Sequence, residues 1–240
     1  MRKDVTYQLS VFGDFRDITP DTDTISQMME SLKSYNMVPS VYQEGKVNFN
    51  PSNPEKVYSE SVDRLGMISS DNSLNISFGL DRIDITADAP SINNPLDDTI
   101  LSKVMDIFRK TINDLSFSRI ALNTTSFFTE NDSEKICEHS QSNIGFYNNF
   151  EELSLRLNKK QDFEINGKNE QVNVILISQM SPEVFKGTAP PIPLSNGWMI
   201  QFDINTTPEN IKNRFGSKAV EDFMNIAKNT KERIIGELLE

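Results

Sequence analysis

Short segments in which apolar and polar residues alternate recur along this chain, and they restrict its fold more than any other feature. The segments 5–11, 82–88 and 198–204 each place an apolar residue at every second position. Because successive side chains of a strand point to opposite faces, this period of two predicts strands that bury one face of a sheet. In the first segment, the residues predicted to share the buried face are Val5, Tyr7, Leu9 and Val11.

Three aspartates, Asp81, Asp84 and Asp88, have a spacing that would place them on one face of a helix, where they could bind a metal ion. However, isoleucine and threonine surround them in "LDRIDITAD", and these residues favour a strand. In a strand, Asp84 and Asp88 lie about 13 Å apart. That is too far to share a cation, whose oxygen ligands lie at about 2.0 to 2.6 Å. We therefore interpret the aspartates as a solvated strand face, with Asp81 in the preceding turn.

Helical spacing of apolar residues predicts helices in the segments 25–35, 95–115, 149–160 and 220–238. In chain order, residues 1–117 read as strand, helix, antiparallel strands and helix, and residues 118–240 repeat this order with one strand fewer. The predicted fold class is therefore α+β, with two similar halves, each a mainly antiparallel sheet with two helices packed on one face. The halves are predicted as domains 1–117 and 118–240, or as one continuous structural unit.

Two long connections are predicted between these elements. Residues 44–63 are polar and contain two prolines, and residues 181–197 are rich in proline and glycine. Loops of this length are often binding elements. The short strand before the first loop, "MVPSVYQE", is predicted at the edge of its sheet, because Pro39 cannot donate a backbone hydrogen bond to a neighbouring strand.

The charge of the chain bears on its partners. It carries 35 acidic and 24 basic residues, for a formal net charge of −11. The negative electrostatic potential of such a chain disfavours direct binding to nucleic acid or to an anionic membrane, because both are themselves negatively charged. Mimicry of a nucleic acid stays open as an alternative, although an acidic surface more often serves solubility. The longest aliphatic run, residues 174–177, is far shorter than the roughly 20 residues of a membrane helix.

Cysteine usage and the start of the sequence indicate a compartment. Only one cysteine, Cys137, is present, which excludes an intrachain disulfide and a multi-cysteine zinc site. No long apolar run follows the first basic residues, so we predict no signal peptide and expect a cytoplasmic protein. Cys137 and the single histidine, His139, have the residue types of a nucleophile and its base, but their polar setting argues against that role.

No catalytic set is recognisable in the sequence. Phosphate-binding glycine motifs, a nucleophile elbow and an HEXXH motif are all absent from it. We therefore predict no catalytic residues, no metal site and no cofactor. The alternative is a metal-dependent enzyme, such as a nuclease, whose carboxylates converge from distant segments. The candidate residues for that convergence are Asp14, Asp81 and Asp203.

Several stretches resemble a sporadically distributed bacterial family of uncharacterised α+β proteins. They are "GMISSDNSLNISFGLDRIDI", the helix over 96–115, "FSRIALNTTSFF" and the acidic late strand "MIQFDINT" before the C-terminal helix. The chain departs from the family at residues 121–124, where the family has charged and aromatic residues. The resemblance implies an α+β fold and no established catalytic residues. The sporadic distribution of the family fits a defence or mobile-element operon.

We therefore expect a non-enzymatic binding or regulatory protein that acts through a protein partner or through self-association. Three aromatic residues are candidate anchors of such an interface: Phe49, Phe185 and Trp198. For Trp198, burial in the core is the simpler interpretation. The segment "PPIP" has the proline spacing of a polyproline II ligand, but a stiff connection between strands is the simpler interpretation there too.

Overall fold

The computed structural model of the protein describes residues 1–49, 57–112, 114–140, 153–180, 184–185, 192–193 and 197–240. The helices are α1 (Thr22–Ser31), α2 (Ile100–Ile112), α3 (Glu130–Ser140) and α4 (Ser217–Leu239). The strands are β1 (Arg2–Phe12), β2 (Met37–Phe49), β3 (Val57–Ser69), β4 (Leu74–Phe78), β5 (Arg82–Asp88), β6 (Arg119–Phe128), β7 (Ser154–Ile165), β8 (Lys168–Met180), β9 (Val184–Phe185), β10 (Ile192–Pro193) and β11 (Trp198–Thr206).

Nine of these strands form one antiparallel sheet. Its order is β2-β3-β4-β5-β1-β6-β11-β8-β7, while β9 and β10 pair only with each other. At the middle of the sheet, β1 and β6 are paired from Arg2–Phe128 to Phe12–Arg119. Strands from both predicted domains therefore belong to one continuous sheet. The boundary predicted after residue 117 falls just before β6, and the division into domains stays a prediction.

One face of the sheet carries the main hydrophobic core. The apolar stripes of α2 and α4 pack on this face, and Phe108 and Phe223 on these helices are fully buried. Alternation along the strands is what directs apolar residues to a single face. Apolar residues of five neighbouring strands form one buried row across it: Ile85, Leu9, Leu122, Ile204 and Val174.

The prediction of two halves, each with its own sheet and two helices, is wrong. In the described parts of the chain, one nine-stranded sheet accompanies four helices. Two segments account for much of the difference. The helix predicted at 149–160 is the strand β7 from Ser154 onward, and the loop predicted at 44–63 is strand up to Phe49 and again from Val57. In both segments, pairing with a neighbouring strand overrides the local sequence pattern.

A β-bulge in β1 changes which of its residues face the core. The register to β6 shifts between Asp4 and Thr6. Tyr7 faces the core as predicted, but the prediction for Val5 is wrong, because Val5 packs against Phe127 in a separate small cluster. An extra residue in a strand re-aims the side chains on either side of it. Here it lets Asp4 and Tyr7, which are three residues apart, meet on the same face.

Arg64 on β3 is a fully buried cation that joins two turns to the sheet. Its Nε donates to the carbonyl oxygen of Phe78 at 2.8 Å. Its Nη2 donates to the carbonyl oxygens of Phe15 and Gly79, at 2.7 and 2.8 Å. A buried guanidinium is tolerated when its donors are satisfied in this way. Arg64 therefore holds the end of β4 and the segment after β1 in place.

Replacing Arg64 by methionine should lower the free energy of unfolding by about 3 kcal/mol, because the carbonyl oxygens of Phe15, Phe78 and Gly79, and the more distant one of Arg16, lose a charged donor. Urea denaturation, followed through the fluorescence of the single tryptophan, measures the change. The control is Arg233→Met, which removes an exposed cation 3.9 Å from Glu237 and should cost less than about 1 kcal/mol. Equal losses in the two variants would contradict the role given to Arg64.

Candidate functional site

A group of ionisable side chains lies between α4 and β1, and we call it the Lys231 cluster: Arg2, Asp4, Tyr7, Lys231 and Glu232. Lys231 on α4 is only 1% exposed. Its Nζ donates to the Tyr7 hydroxyl at 2.6 Å and lies 3.4 Å from Oδ1 of Asp4. The Tyr7 hydroxyl in turn donates to Oδ2 of Asp4 at 2.9 Å. Asp4 is therefore the shared acceptor at the centre of the cluster.

Arg2 connects the two acids of the cluster. Its Nε and Nη2 donate to the two carboxylate oxygens of Asp4, both at 2.9 Å. Its Nη1 and Nη2 donate to Glu232 at 2.6 and 2.8 Å. The Ser126 hydroxyl on β6 donates to Asp4 at 2.5 Å. Two cations and two anions thus neutralise one another, which is the condition under which charges are stable away from water.

The cluster shifts the pKa values of its members. Burial lowers the pKa of the Lys231 ammonium to about 8, against the attraction of Asp4. Burial raises the pKa of the Asp4 carboxyl, but Lys231 and Arg2 outweigh it and hold that pKa at about 2. Burial and the adjacent Asp4 raise the pKa of the Tyr7 phenol above its ordinary value. At neutral pH, Lys231 and Asp4 are therefore charged and Tyr7 is a neutral donor.

A cavity of about 460 Å³ opens beside the Lys231 cluster, between β1, the residues before α2, and α4. Arg2, Asp4 and Tyr7 form part of its wall, whereas Lys231 is not among the described residues that line it. The polar atoms of these wall residues already bond to one another within the cluster. The geometry therefore assigns the cluster the task of fixing β1 to α4, rather than that of presenting a reactive lysine.

The carboxylates considered for a metal site are only partly brought together. Asp14 and Asp81 line one cavity of about 610 Å³, and Asp14 is paired with Arg16. Asp203 lies within β11 and accepts a bond from Nδ2 of Asn205 at 2.8 Å. It is not among the described residues that line that cavity. Within the described ranges, no group of three or more potential metal ligands occurs.

The strand predicted at 82–88 is confirmed, since these residues form β5. The interpretation of its aspartates as solvated is wrong for Asp84, which is 8% exposed. Asp84 accepts a hydrogen bond from the Ser10 hydroxyl at 2.5 Å and lies 2.9 Å from the Arg82 guanidinium. The physical reason is the position of β5 beside β1, which supplies a hydroxyl donor to the carboxylate.

Cys137 and His139 lie on α3, in a segment for which the sequence predicts no definite structure. Side chains two positions apart on a helix do not face each other. Nδ1 of His139 lies 3.0 Å from the carbonyl oxygen of Lys135 on the same helix, and Cys137 packs against the core. The structure thus does not align this pair as a nucleophile and its base.

The three aromatic candidates lie in three different settings. Trp198 is 2% exposed, and its Nε1 donates to the Ser178 hydroxyl at 2.6 Å, so the prediction of its burial is confirmed. Phe49 is the last residue of β2 and Phe185 belongs to β9. The side chains of these two phenylalanines lie outside the described part of the protein. Their role at an interface stays a prediction.

β2 forms one edge of the nine-stranded sheet, which confirms the position predicted from Pro39. It pairs with β3 along its full length, from Met37 to Phe49. β3, however, pairs with β4 only at residues 66–68. The outer parts of β2 and β3 therefore form a two-stranded ribbon that extends beyond β4. A ribbon of two strands is marginally stable in water on its own.

Apolar side chains are exposed along this edge. Val38 and Val41 on β2 are 48% and 56% exposed, and Val62 on β3 is 38% exposed. Glu44 is held at the base of the ribbon, where it accepts a hydrogen bond from the backbone N–H of Leu80 at 2.9 Å. A long edge strand with exposed apolar side chains is a template for the addition of another strand.

The opposite edge of the sheet, β7, has a different composition. Three exposed cations lie close together there: Arg156, Lys159 and Lys160. Charged side chains on an edge strand oppose association with a further strand. Leu157, which is 51% exposed, is the counterpart on β7 of Val41 on β2. The edge of β2, and not that of β7, is therefore the candidate interface.

Sequence reasoning missed both the Lys231 cluster and the length of β2. A signal for Lys231 is present, since it follows Ala227 by four residues and Thr230 by one, and both lie on the buried face of α4. A lysine at that position predicts a buried cation in need of a carboxylate partner. The partner, Asp4, is not evident from the sequence, because regular alternation from Tyr7 would direct it to the other face and the bulge that turns it inward has no signal in the pattern.

Comparison with known proteins found no protein-family model and no curated protein that matches the chain. The resemblance of its motifs to an uncharacterised bacterial family stays a prediction. None of the described helices has both the length and the apolar character needed to cross a membrane. For the residues that the structure describes, the class of protein is thus defined by the fold alone, an antiparallel sheet with exposed apolar side chains on its β2 edge.

Replacing Asp4 by asparagine should lower the free energy of unfolding by about 4 kcal/mol, because Lys231 and Arg2 lose the carboxylate that compensates their burial. Thermal or urea denaturation measures the loss. The matched control is Asp98→Asn, at an exposed position before α2, which should change stability by less than about 1 kcal/mol. A loss at Asp4 no larger than at Asp98 would show that the cluster does not stabilise the fold.

The lowered pKa of Lys231 predicts a particular dependence of stability on pH. Between pH 8 and 10.5 the unfolded chain keeps the proton that folded Lys231 has released. The contribution of this group to the free energy of unfolding therefore rises with pH across that interval, by up to about 3 kcal/mol. Urea denaturation of the native protein and of Lys231→Met at several pH values isolates it. A constant difference between the two across the interval would contradict the shift.

Proposed function

We propose that this chain is a non-enzymatic binding protein that accepts a strand from a protein partner on the edge of β2. The observation that carries the proposal is the exposure of Val41, at 56%, in the middle of a strand that forms the edge of the sheet. In strand addition, the backbone N–H and C=O groups of the edge supply affinity, and pockets around neighbouring side chains supply specificity.

The energetics of the ribbon support this proposal. A third strand would convert the outer part of β2 and β3 from a two-stranded ribbon to a three-stranded sheet, which is the smallest sheet with independent stability. Each new backbone hydrogen bond contributes about 0.5 to 1.5 kcal/mol. Covering Val38 and Val41 contributes about 1 kcal/mol each, since both are only half-exposed to begin with.

Charge and cysteine content support the kind of partner and its compartment. A net charge of −11 favours a protein partner over nucleic acid or an anionic membrane. The single cysteine supports a cytoplasmic location. A metal-dependent enzyme and an acidic mimic of nucleic acid remain the alternatives raised by the sequence, and no contact among the described side chains favours either one.

The proposal is tested by capture from the native cells with three tagged proteins: the native chain, Val41→Lys and the matched control Leu157→Lys on the other edge. Proteins that co-purify are identified and quantified by mass spectrometry. We expect one stoichiometric partner that is lost with Val41→Lys, because a charge then replaces the apolar centre of the edge, and kept with Leu157→Lys. Circular dichroism verifies that all three proteins fold. A partner retained equally by both variants would contradict binding at β2.

A further inference from the structure

We infer that the strand received by β2 is β2 of a second copy of this chain, paired antiparallel about a two-fold axis close to Val41. This inference rests on the proposed function and names its partner. Two nine-stranded sheets would then continue into each other through their β2 edges. The occupant follows from three properties of the edges: their symmetry, their charge, and the position of Pro39.

Symmetry makes a second β2 geometrically suitable. A two-fold axis perpendicular to a sheet always sets an edge strand antiparallel to its own copy, and it keeps each side chain on the same face. With the axis at Val41, the two Val41 residues oppose each other, and Pro39 of each copy opposes Gln43 of the other. Among the side chains of β2 that the structure describes, the most exposed apolar one is thereby covered by an identical one.

Charge distinguishes this pairing from the other possible edge combinations. Between residues 37 and 45 the only charged residue is Glu44, whose carboxylate accepts from Leu80 and lies 3.8 Å from Nε of Arg64. The centre of a β2–β2 pairing is therefore free of like charges. Pairing β7 with β7 about Asn158, at the centre of its exposed cations, would instead oppose Arg156 of each copy to Lys160 of the other. Pairing β2 with β7 is heterologous and would not close on itself.

Pro39 limits the strength of this pairing. Proline in an edge strand normally directs its nitrogen, which has no hydrogen, away from the sheet. In the dimer each Pro39 would therefore leave one carbonyl oxygen of the other copy without a donor. The pairing lacks two hydrogen bonds in total, and it should be reversible rather than permanent. Restoring the donors with Pro39→Thr should tighten the dimer about tenfold.

Sedimentation velocity over a range of protein concentrations tests the inference with four proteins: the native chain, Val41→Lys, Leu157→Lys and Pro39→Thr. The native chain should dimerise reversibly, and added salt should strengthen the dimer because each copy carries a net charge of −11. Val41→Lys should weaken association at least about a hundredfold, since two lysines then meet at the axis. Leu157→Lys should leave it unchanged.

The outcomes separate this inference from the proposed function. A native chain that stays monomeric up to about a millimolar, together with a monomeric Pro39→Thr, overturns the self-pairing. If a captured partner still depends on Val41 in that case, the proposed function stands and only the identity of the strand changes. If capture of the partner also does not depend on Val41, both the proposed function and the self-pairing are overturned. A dimer broken by Leu157→Lys and not by Val41→Lys would likewise overturn the inference, because it would assemble through β7.

Discussion

The pairing of β1 with β6 is the contact on which the rest of the structure depends. It runs from Arg2–Phe128 to Phe12–Arg119 and joins the strands of the first part of the chain to those of the second part in one sheet. Because alternation is in register across this pair, Leu9 and Leu122 face the same side, and a single core forms under all four described helices. A mismatch of one residue would direct the apolar residues of one set of strands to the wrong face.

The Lys231 cluster follows from the same pair of strands. The bulge in β1 brings Asp4 to the face that already carries Tyr7, and β6 supplies Ser126 to the same carboxylate. α4 then lies over these residues with Lys231 and Glu232. These polar contacts join the last helix to β1, in addition to the apolar contacts of α4 with the core. Breaking a buried group of charges of this kind is costly, because each remaining charge loses its partner.

The sequence predicts those elements whose local pattern and long-range environment agree. The alternation around Ile85 and Phe202 is of this kind, and so are the edge position of Pro39 and the amphipathic segment predicted at 95–115, which is helical over Ile100–Ile112. Prediction fails where a partner strand decides the conformation, as in β7, where Leu153 and Leu157 have the four-residue spacing of a helix, and in the outer part of β2. The Lys231 cluster was not predicted because its members are distant in sequence and meet only through a bulge.

The bulge also has a consequence for how the chain can vary by insertion and deletion. Residues 2–4 are out of phase with the rest of β1 by one position, so Val5 acts as a spacer between two correctly oriented segments. Removing Val5 would leave Asp4 opposite Ser126 and Thr6 opposite Thr125 in a regular ladder, so Arg2 and Asp4 would keep the face of Tyr7. A strand interior, where a change of length normally reverses the side chains on one side of it, would thus absorb this deletion. In an alignment of related chains, the spacing between Asp4 and Tyr7 would be more informative than the identity of the residues between them.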